Sequence, residues 1–248
     1  MIAVVSPFAY ALSVAIATVA CAAACLEARR RPGAWTLTVA RIVGVALALD
    51  AGSYTIGLLV AGTWSARTSL PLALCDVAVL VAAAACIWRR PLLVELTYFL
   101  GLAGTLQGLL TPDLSVGFPH LVFWQYLVGH LGIVFAAVFL VVGLGIAPRR
   151  HAVPRVLIIT LTYTSAVGLV DAFTGANYMF LRHPPGEWTL LRLLGPWPWY
   201  LFSATGVALV LFTLLDAPFW PGRKRETALE AREPALRHGG ARPSVQAP

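Results

Sequence analysis

The feature that most restricts the fold is a series of apolar stretches, each about twenty residues or longer, separated by short bursts of arginine. The seven stretches span residues 3–26, 37–62, 70–88, 92–110, 122–147, 154–175 and 192–217. An α-helix rises about 1.5 Å per residue, so each stretch is long enough to cross about 30 Å of hydrocarbon. The sequence therefore predicts an all-α membrane protein, a bundle of seven transmembrane helices.

Composition excludes a soluble domain. Hydrophobic residues make up 59% of the chain and charged residues only 12%, whereas a soluble domain carries about 25% charged residues. In lipid, the backbone polar groups must be paired within a helix or a closed barrel, and long unbroken apolar runs are typical of helices.

The basic residues predict the orientation in the membrane. Eleven Lys and Arg lie in the first, third and fifth loops and at the C-terminal edge, against three on the opposite side, namely Arg67, Arg182 and Arg192. The side richer in Lys and Arg faces the cytoplasm, which places the N-terminus outside and the C-terminus inside. Because the net charge of +7 is divided among loop ends, we expect contact with membrane lipid and no nucleic acid; the oligomeric state is left open.

Two regions are expected along the chain. Residues 1–220 form the transmembrane domain, and residues 221–248, rich in Pro, Gly, Arg, Glu and Ala, are predicted to form a disordered cytoplasmic tail. The chain has 17 Arg but a single Lys, and its helices are rich in Ala. This composition favours a bacterial source with GC-rich DNA, and hence a multi-pass protein of the bacterial plasma membrane.

Polar residues within the apolar stretches gather in one half of the predicted bundle, the extracytoplasmic half. The other half consists almost entirely of Ala, Val, Leu and Ile. Ionisable groups in a bilayer are costly unless they are paired or hydrated, so this clustering predicts a functional pocket. Its members are Asp50, Cys75, Asp76, Gln107, Asp113, Gln125, His130, Asp171 and Asn177. The four cysteines have no neighbouring metal ligands, so we expect neither a metal nor an organic cofactor.

Cys75 and His130 are the strongest candidates for catalysis. Ser69 is a suitable N-cap and Pro71 suits a first helical turn, which would place Cys75 near the positive end of a helix dipole that favours a thiolate. Counted from the predicted outer ends of their helices, Cys75 lies about 8 Å deep and His130 about 12 Å deep at 1.5 Å per residue. A thiol beside an imidazole can transfer acyl groups through a thioester. A buried cysteine can equally be a small apolar residue, and a histidine can simply pack between helices.

Several segments around these residues resemble a known family, the YwaF-like bacterial integral membrane proteins, which are similar in turn to the transmembrane protein 164 family of animals. The resemblance covers about residues 35–217. It is carried by Leu-Pro-Leu-Ala-Leu-Cys-Asp at 70–76, by 96–99, 101–112 and 118–120, by Phe-Trp-Gln at 123–125 through Gly-His at 129–130, by 175–181, and by Gly-Pro-Trp-Pro-Trp-Tyr at 195–200.

The resemblance implies a function. The animal relative is regarded as a phospholipid acyltransferase with a membrane-embedded Cys and His, and the matching positions here are Cys75 and His130. This chain departs from the pattern at Ala73, where bacterial relatives often have His.

The leading hypothesis is a lipid acyltransferase or acyl hydrolase in which Cys75 is the nucleophile and His130 the general base. Supporting roles, in orienting the imidazole or stabilising an oxyanion, would fall to Asp171, Asn177, Gln125, His120, Asp113 and Gln107. Two alternatives stay open: a carrier or binding protein for a lipid or small molecule that uses the same pocket, and a structural membrane protein whose polar groups only pack helices.

Overall fold

The computed structural model describes residues 7–110, 112, 118–184 and 190–223, and this part of the chain is helical, with no β-strand. Its seven main helices are α1 (Pro7–Arg30), α2 (Ala34–Val60), α3 (Leu74–Trp88), α4 (Pro91–Leu110), α5 (Leu121–Gly143), α6 (Ala152–Thr174) and α7 (Trp199–Asp216). A single π-helical turn interrupts α4 at Gly101–Thr105 and another ends α5 at Phe139–Gly143. Short 3₁₀ turns follow at Tyr178–Phe180, Leu190–Leu194 and Ala217–Phe219.

Six of these helices are long and apolar enough to cross a membrane, and α3 is a shorter apolar helix of 15 residues. The prediction of an all-α multi-pass membrane protein is confirmed. The predicted start of α3 at residue 70 is wrong. Ala73, not Ser69, is the N-cap, with extended backbone angles, because Leu70 and Leu72 form a separate turn in which the Leu72 N–H donates to the Leu70 carbonyl at 2.7 Å.

The buried core is centred on α3, which packs against α2, α4 and α5. Small residues let these helices approach closely. A Cβ on Gly44 of α2 would lie 2.9 Å from the Ala83 carbonyl oxygen of α3, and one on Gly101 of α4 would lie 3.0 Å from Ile133 of α5. Close packing around α3 fixes the helix that carries Cys75.

Large apolar side chains cover much of the outer surface. Phe173 is 89% exposed and Val60 84% exposed. Such a surface suits a hydrocarbon environment and would be unstable in water.

A buried ion-pair cluster joins α4 to the loop before α6. The carboxylate of Glu95, only 1% exposed, accepts hydrogen bonds from the Arg149 side chain at 2.8 and 3.1 Å and from Arg155 at 2.7 Å. These contacts raise the pKa of Arg149 above its ordinary value, chiefly through the hydrogen bonds to Glu95. This half of the bundle was expected to be apolar, and Glu95 is an exception that the hydropathy pattern concealed.

A second ion pair lies at the same end of the bundle. Arg223 contacts the Asp216 carboxylate at 2.5 Å and also donates to the Pro148 carbonyl at 3.0 Å. We call this end, defined by Glu95, Arg149, Arg155, Asp216 and Arg223, the arginine end. Residues 224–248, which include most of the predicted tail, lie outside the described residues.

Candidate functional site

A cavity of about 690 Å³ lies at the opposite end of the bundle from the arginine end, between α2, α3, α5 and the loop of residues 61–73. Both Cys75 and His130 line it. Asp50, Asp76 and Gln125 supply further polar groups to its wall. Three helices that are distant in sequence thus contribute polar side chains to one space.

Cys75 is the second residue of α3, within its first turn. Asp76 accepts a hydrogen bond from the Ala73 N–H at 3.2 Å, as an acidic residue in the first turn commonly does. The other N–H groups of this turn have no intrahelical acceptor and point out of the helix end. Cys75 therefore lies in a positive backbone field, while the nearby carboxylate is engaged with the backbone.

Thr105 lies beside Cys75 at the end of the π-helical turn of α4. Its side chain is buried, and its Oγ1 has no hydrogen-bond partner of ordinary geometry within the described part of the chain. A π-turn adds one residue to a helix and is frequent at functional sites. Here it brings a hydroxyl to the thiol.

The tautomer of His130 follows from its contacts. Its Nδ1 lies 2.9 Å from the carbonyl oxygen of Tyr126, one turn earlier in α5. A carbonyl only accepts hydrogen bonds, so Nδ1 carries the proton and Nε2 of the neutral ring keeps its lone pair. The Tyr126 ring stacks on the imidazole at 3.9 Å between centroids, and its hydroxyl donates to the Gly108 carbonyl at 2.5 Å. These contacts hold the imidazole of His130 in place and leave the lone pair of Nε2 available to accept a proton.

Gly108 leaves the space that the imidazole fills. A Cβ at this position would lie 3.2 Å from His130 Nε2 and 3.3 Å from the Tyr126 hydroxyl. By comparison, a Cβ on Gly104, one turn earlier, would meet only Leu74 at 3.4 Å. Gly104 and Gly108, four residues apart on α4, therefore have different neighbours and different roles.

Asp50 approaches the same region from α2. A Cβ on Gly129, the residue before His130, would lie 3.1 Å from Asp50 Oδ2. The carboxylate lines the cavity, and the described residues offer it no side-chain hydrogen bond or ion pair. It is an available polar group of the cavity wall, next to Gly129.

The loop that precedes Cys75 is held by two tyrosines. The Tyr178 hydroxyl accepts from the Leu70 N–H at 2.9 Å and donates to the Ala66 carbonyl at 3.0 Å. The Tyr163 hydroxyl donates to the Leu72 carbonyl at 2.9 Å. These bonds pair backbone groups of a loop that has no helix or strand to pair them.

Asp171 acts on Tyr178. The fully buried carboxylate accepts the Tyr178 N–H through Oδ1 at 2.9 Å, while Oδ2 has no partner among the described residues. It is absent from the residues that line the cavity. Asp171 therefore helps to position Tyr178, which holds the loop of residues 61–73, and does not orient the imidazole of His130.

Of the other residues predicted to support catalysis, some line the cavity and some do not. Gln125 lines the cavity and donates to the Ser53 hydroxyl at 3.0 Å. His120 is the N-cap of α5 and accepts from the Val122 N–H at 3.4 Å. Gln107 is half-buried on α4. Neither His120 nor Gln107 is among the described residues that line the cavity.

Asn177 lies on the far side of Tyr178, outside the described cavity wall. Its Oδ1 accepts from the Arg182 N–H at 2.9 Å and its amide donates to the His183 carbonyl at 2.9 Å. It therefore organises the turn after α6. Asp113 lies outside the described residues.

Sequence reasoning missed Thr105, Gly108, Tyr126 and Tyr178. Tyr126, four residues before His130, had a readable signal, since residues at this spacing share one face of a helix. No pattern in the sequence distinguishes Tyr178 from an interfacial tyrosine. Within the described ranges, no group of three or more His, Cys, Asp or Glu is placed to hold a metal ion.

Comparison with known protein families gives a match over most of the chain. The family model described as the TMEM164 family matches residues 3–216. No curated protein and no solved structure matches the chain.

Proposed function

Because the chain belongs to the TMEM164 family, we propose that it is a membrane-embedded enzyme that moves acyl groups of lipids through a thioester on Cys75. Membership of this family is consistent with a membrane protein that acts on lipids. The apolar helices give the protein direct contact with the acyl chains of the bilayer. The proposal extends this general assignment to a chemical mechanism.

The observation that carries the proposal is the shared cavity of Cys75 and His130. A thiol with a role only in packing would be enclosed by apolar atoms, as Cys86, which is 1% exposed, is in the core. Cys75 instead faces a space with an imidazole, two carboxyl groups and an amide. The Nε2 lone pair of His130 is the base that a thiol nucleophile requires.

The proposed reaction has two steps, acylation of Cys75 and transfer of the acyl group to an acceptor. His130 Nε2 takes the proton of the Cys75 thiol as Sγ attacks the ester carbonyl carbon, and the tetrahedral adduct expels the alkoxide, which takes that proton from the imidazolium. A thioester on Cys75 and a lysolipid result. A hydroxyl of an acceptor lipid, or water, then loses its proton to His130 and attacks the thioester carbonyl; the C–S bond breaks, the acyl group leaves on that oxygen, and the imidazolium returns the proton to the Cys75 thiolate. An acceptor lipid makes the protein a transferase, and water makes it a hydrolase.

The charge that develops on the carbonyl oxygen has two sources of stabilisation near Cys75. The first source is the backbone N–H groups of the first turn of α3, which point out of the N-terminal end of the helix. Gln125 of the cavity wall donates to the Ser53 hydroxyl and to no other group among the described residues, and its amide can turn toward a bound ester. Of the residues suggested for this role, Gln125 has the best placement.

For the topology, we propose that the chain crosses the bacterial plasma membrane seven times, with the N-terminus outside. The arginine end then lies at the cytoplasmic face, in agreement with the distribution of basic residues. The cavity lies in the extracytoplasmic half. The segment from residue 66 to residue 73 makes up the membrane depth that α3 lacks.

A trapping experiment tests the proposed function. The purified protein is incubated with a phospholipid whose acyl chain bears a terminal alkyne, and the cysteine peptides are analysed by mass spectrometry after tagging. We expect an acyl group on Cys75 that hydroxylamine removes, and its rate of formation should fall about 100-fold or more in His130→Ala. Cys86→Ala is the matched control on the same helix and should acylate Cys75 normally.

Two results would refute the proposal that the protein is an enzyme. The first is equal acylation of all cysteines, which would indicate chemical reaction without a site. The second is binding of the alkyne lipid that is identical in the wild type, Cys75→Ala and His130→Ala, with no thioester in any of them. The second result would establish the carrier or binding protein instead.

A further inference from the structure

A second pocket, of about 590 Å³, adjoins the cavity on the side of the 61–73 loop. Thr68 and Tyr178 line both spaces and form the wall between them. Arg67 and Ser65, which carries a hydroxyl group, line the second pocket but not the cavity. We call this space the Arg67 pocket.

The guanidinium of Arg67 has unused hydrogen-bonding capacity. Its Nη2 donates to the Gly175 carbonyl at 3.2 Å, and the described residues provide no carboxylate within ion-pair distance. A guanidinium has five N–H donors in a planar fork. Most of them remain available near the Ser65 hydroxyl, which accepts the backbone N–H of Arg67 at 3.2 Å and keeps its own proton to donate.

A second guanidinium supports the same turn. Arg182 Nη1 lies 3.5 Å from the carbonyl oxygens of Asp171 and Ala176, next to Gly175, which Arg67 contacts. Basic residues are scarce on the extracytoplasmic side of membrane proteins. Two of the three predicted to lie there, Arg67 and Arg182, contact carbonyl groups at the C-terminal end of α6, and this concentrates positive charge at that helix end.

The two spaces have opposite charge. Among the described residues that line the cavity, Asp50 and Asp76 carry carboxyl groups and none is Lys or Arg. The Arg67 pocket has a guanidinium and no carboxylate among its described lining residues. A molecule that spans both spaces would place a negative group at Arg67 and keep it out of the cavity.

From this contrast we infer that the Arg67 pocket binds the phosphate group of a lipid whose acyl ester enters the neighbouring cavity. A planar guanidinium fork with adjacent hydroxyls is suited to phosphate oxygens. Thr68 and Tyr178 separate the phosphate from the ester, so the headgroup fixes how far the chain can enter. The inference deepens the proposed function and rests on it for the identity of the occupant of the cavity.

The test measures binding and needs no turnover. Cys75→Ser protein in a maltoside detergent is titrated with dihexanoylphosphatidylcholine, with dihexanoylglycerol, which lacks the phosphate, and with inorganic phosphate, and the thermal midpoint is followed. In the Arg67→Gln variant we expect the Kd for dihexanoylphosphatidylcholine to rise about 10-fold or more, the loss typical of a hydrogen bond to a charged group. The Kd for dihexanoylglycerol should be unchanged.

Arg89→Gln is the matched control, because Arg89 also donates to one backbone carbonyl at 3.2 Å, that of Cys86, at the other end of α3. Its Kd for the phospholipid should stay within about twofold of the Cys75→Ser value. Arg67→Lys keeps the charge without the fork, should give an intermediate Kd, and serves if Arg67→Gln fails to fold.

Three results are decisive. Binding of both inorganic phosphate and the phospholipid through Arg67 supports a phosphate site for lipids. Binding of inorganic phosphate without the phospholipid would assign the pocket to the free ion and overturn the lipid assignment, and an unchanged phospholipid Kd in Arg67→Gln would overturn the site itself. Because the background lacks the Cys75 thiol, loss of this site is distinguishable from failure of the thioester chemistry.

Discussion

At the scale of single residues, the imidazole of His130 depends on a glycine in another helix. The Tyr126 carbonyl holds Nδ1, the Tyr126 ring covers one face, and Gly108 leaves room at the Nε2 edge. Sequence reasoning could place His130 and Cys75 at similar depth, because depth follows from counting residues along a helix. It could not find Gly108, since contact between two helices depends on their rotation and approach.

Substitution of Gly108 tests this arrangement. In Gly108→Ala the new methyl group would lie 3.1 Å from His130 Cδ2 and 3.2 Å from Nε2, so the ring must move. We expect acylation of Cys75 to slow about 10-fold or more, because displacement of a catalytic group by about 1 Å can cost up to 100-fold in rate. The rate of thioester formation with the alkyne phospholipid measures the effect.

Gly104→Ala provides the comparison. It adds the same methyl group one turn earlier, at an ordinary contact distance of 3.4 Å from Leu74, and alanine is the better helix former. Its acylation rate should match the wild type. Equal slowing in both variants would mean that Gly108 serves general packing and not the imidazole.

At the scale of elements, the decisive segment is the non-helical loop of residues 61–73. Because Ser69 and Pro71 are typical of a helix start, the sequence predicted a helix from residue 70. In the structure, long-range hydrogen bonds hold this segment as a loop instead. Tyr178, more than a hundred residues away, binds both Ala66 and Leu70. A local pattern cannot predict such a contact, because it exists only after the turn that follows α6 has packed against the loop of residues 61–73.

Removal of one hydroxyl should loosen this element. Tyr178→Phe leaves the Leu70 N–H and the Ala66 carbonyl without a partner, at a cost of about 1–3 kcal/mol for a buried unpaired group. We expect a lower thermal midpoint and an altered rate of Cys75 alkylation by iodoacetamide, because the start of α3 gains freedom. Peptide mass spectrometry follows the alkylation.

The control for that change is Tyr98→Phe, which removes a hydroxyl that donates to the Leu215 carbonyl at 3.1 Å near the arginine end. It should lower the thermal midpoint without changing the alkylation rate of Cys75. If both variants alter the alkylation rate alike, the loop has no special link to Cys75.

At the scale of the whole molecule, the two ends are stabilised differently. The arginine end has ion pairs around the buried Glu95 and Asp216, whereas the cavity end relies on hydrogen bonds to the backbone, without an ion pair among its described residues. Hydropathy predicted the helices well, because burial in lipid requires long apolar runs whatever the tertiary contacts. It could not predict Glu95, because the arginines that neutralise this residue lie more than fifty positions away.

Glu95→Gln should destabilise the whole bundle. It removes the buried carboxylate from Arg149 and Arg155, which are 48% and 32% exposed, and loss of hydrogen bonds to a charged group costs about 1.5–3 kcal/mol. Thermal unfolding in detergent measures the change. Glu27→Gln removes the exposed pair with Arg31 and should cost no more than about 1 kcal/mol. Similar losses in both variants would contradict a dominant role for the buried cluster.

The proposed topology also makes a whole-molecule prediction. In intact cells, a membrane-impermeant maleimide should label an engineered Thr63→Cys and leave His151→Cys unlabelled until the membrane is opened. Both positions are exposed and lie in loops at opposite ends of the bundle. The reverse pattern would invert the orientation, and labelling of both from outside would exclude an odd number of crossings between them.

The length of α3 has a consequence for the surrounding lipid. Fifteen residues rise only about 22 Å, short of the roughly 30 Å of an ordinary hydrocarbon layer. The loop of residues 61–73 covers this missing depth with backbone that is not helical, and we expect the adjoining leaflet to thin beside the loop, so that headgroups sink and ester bonds descend toward Cys75. Thicker bilayers should resist this deformation, and turnover in vesicles should therefore fall as acyl chains lengthen.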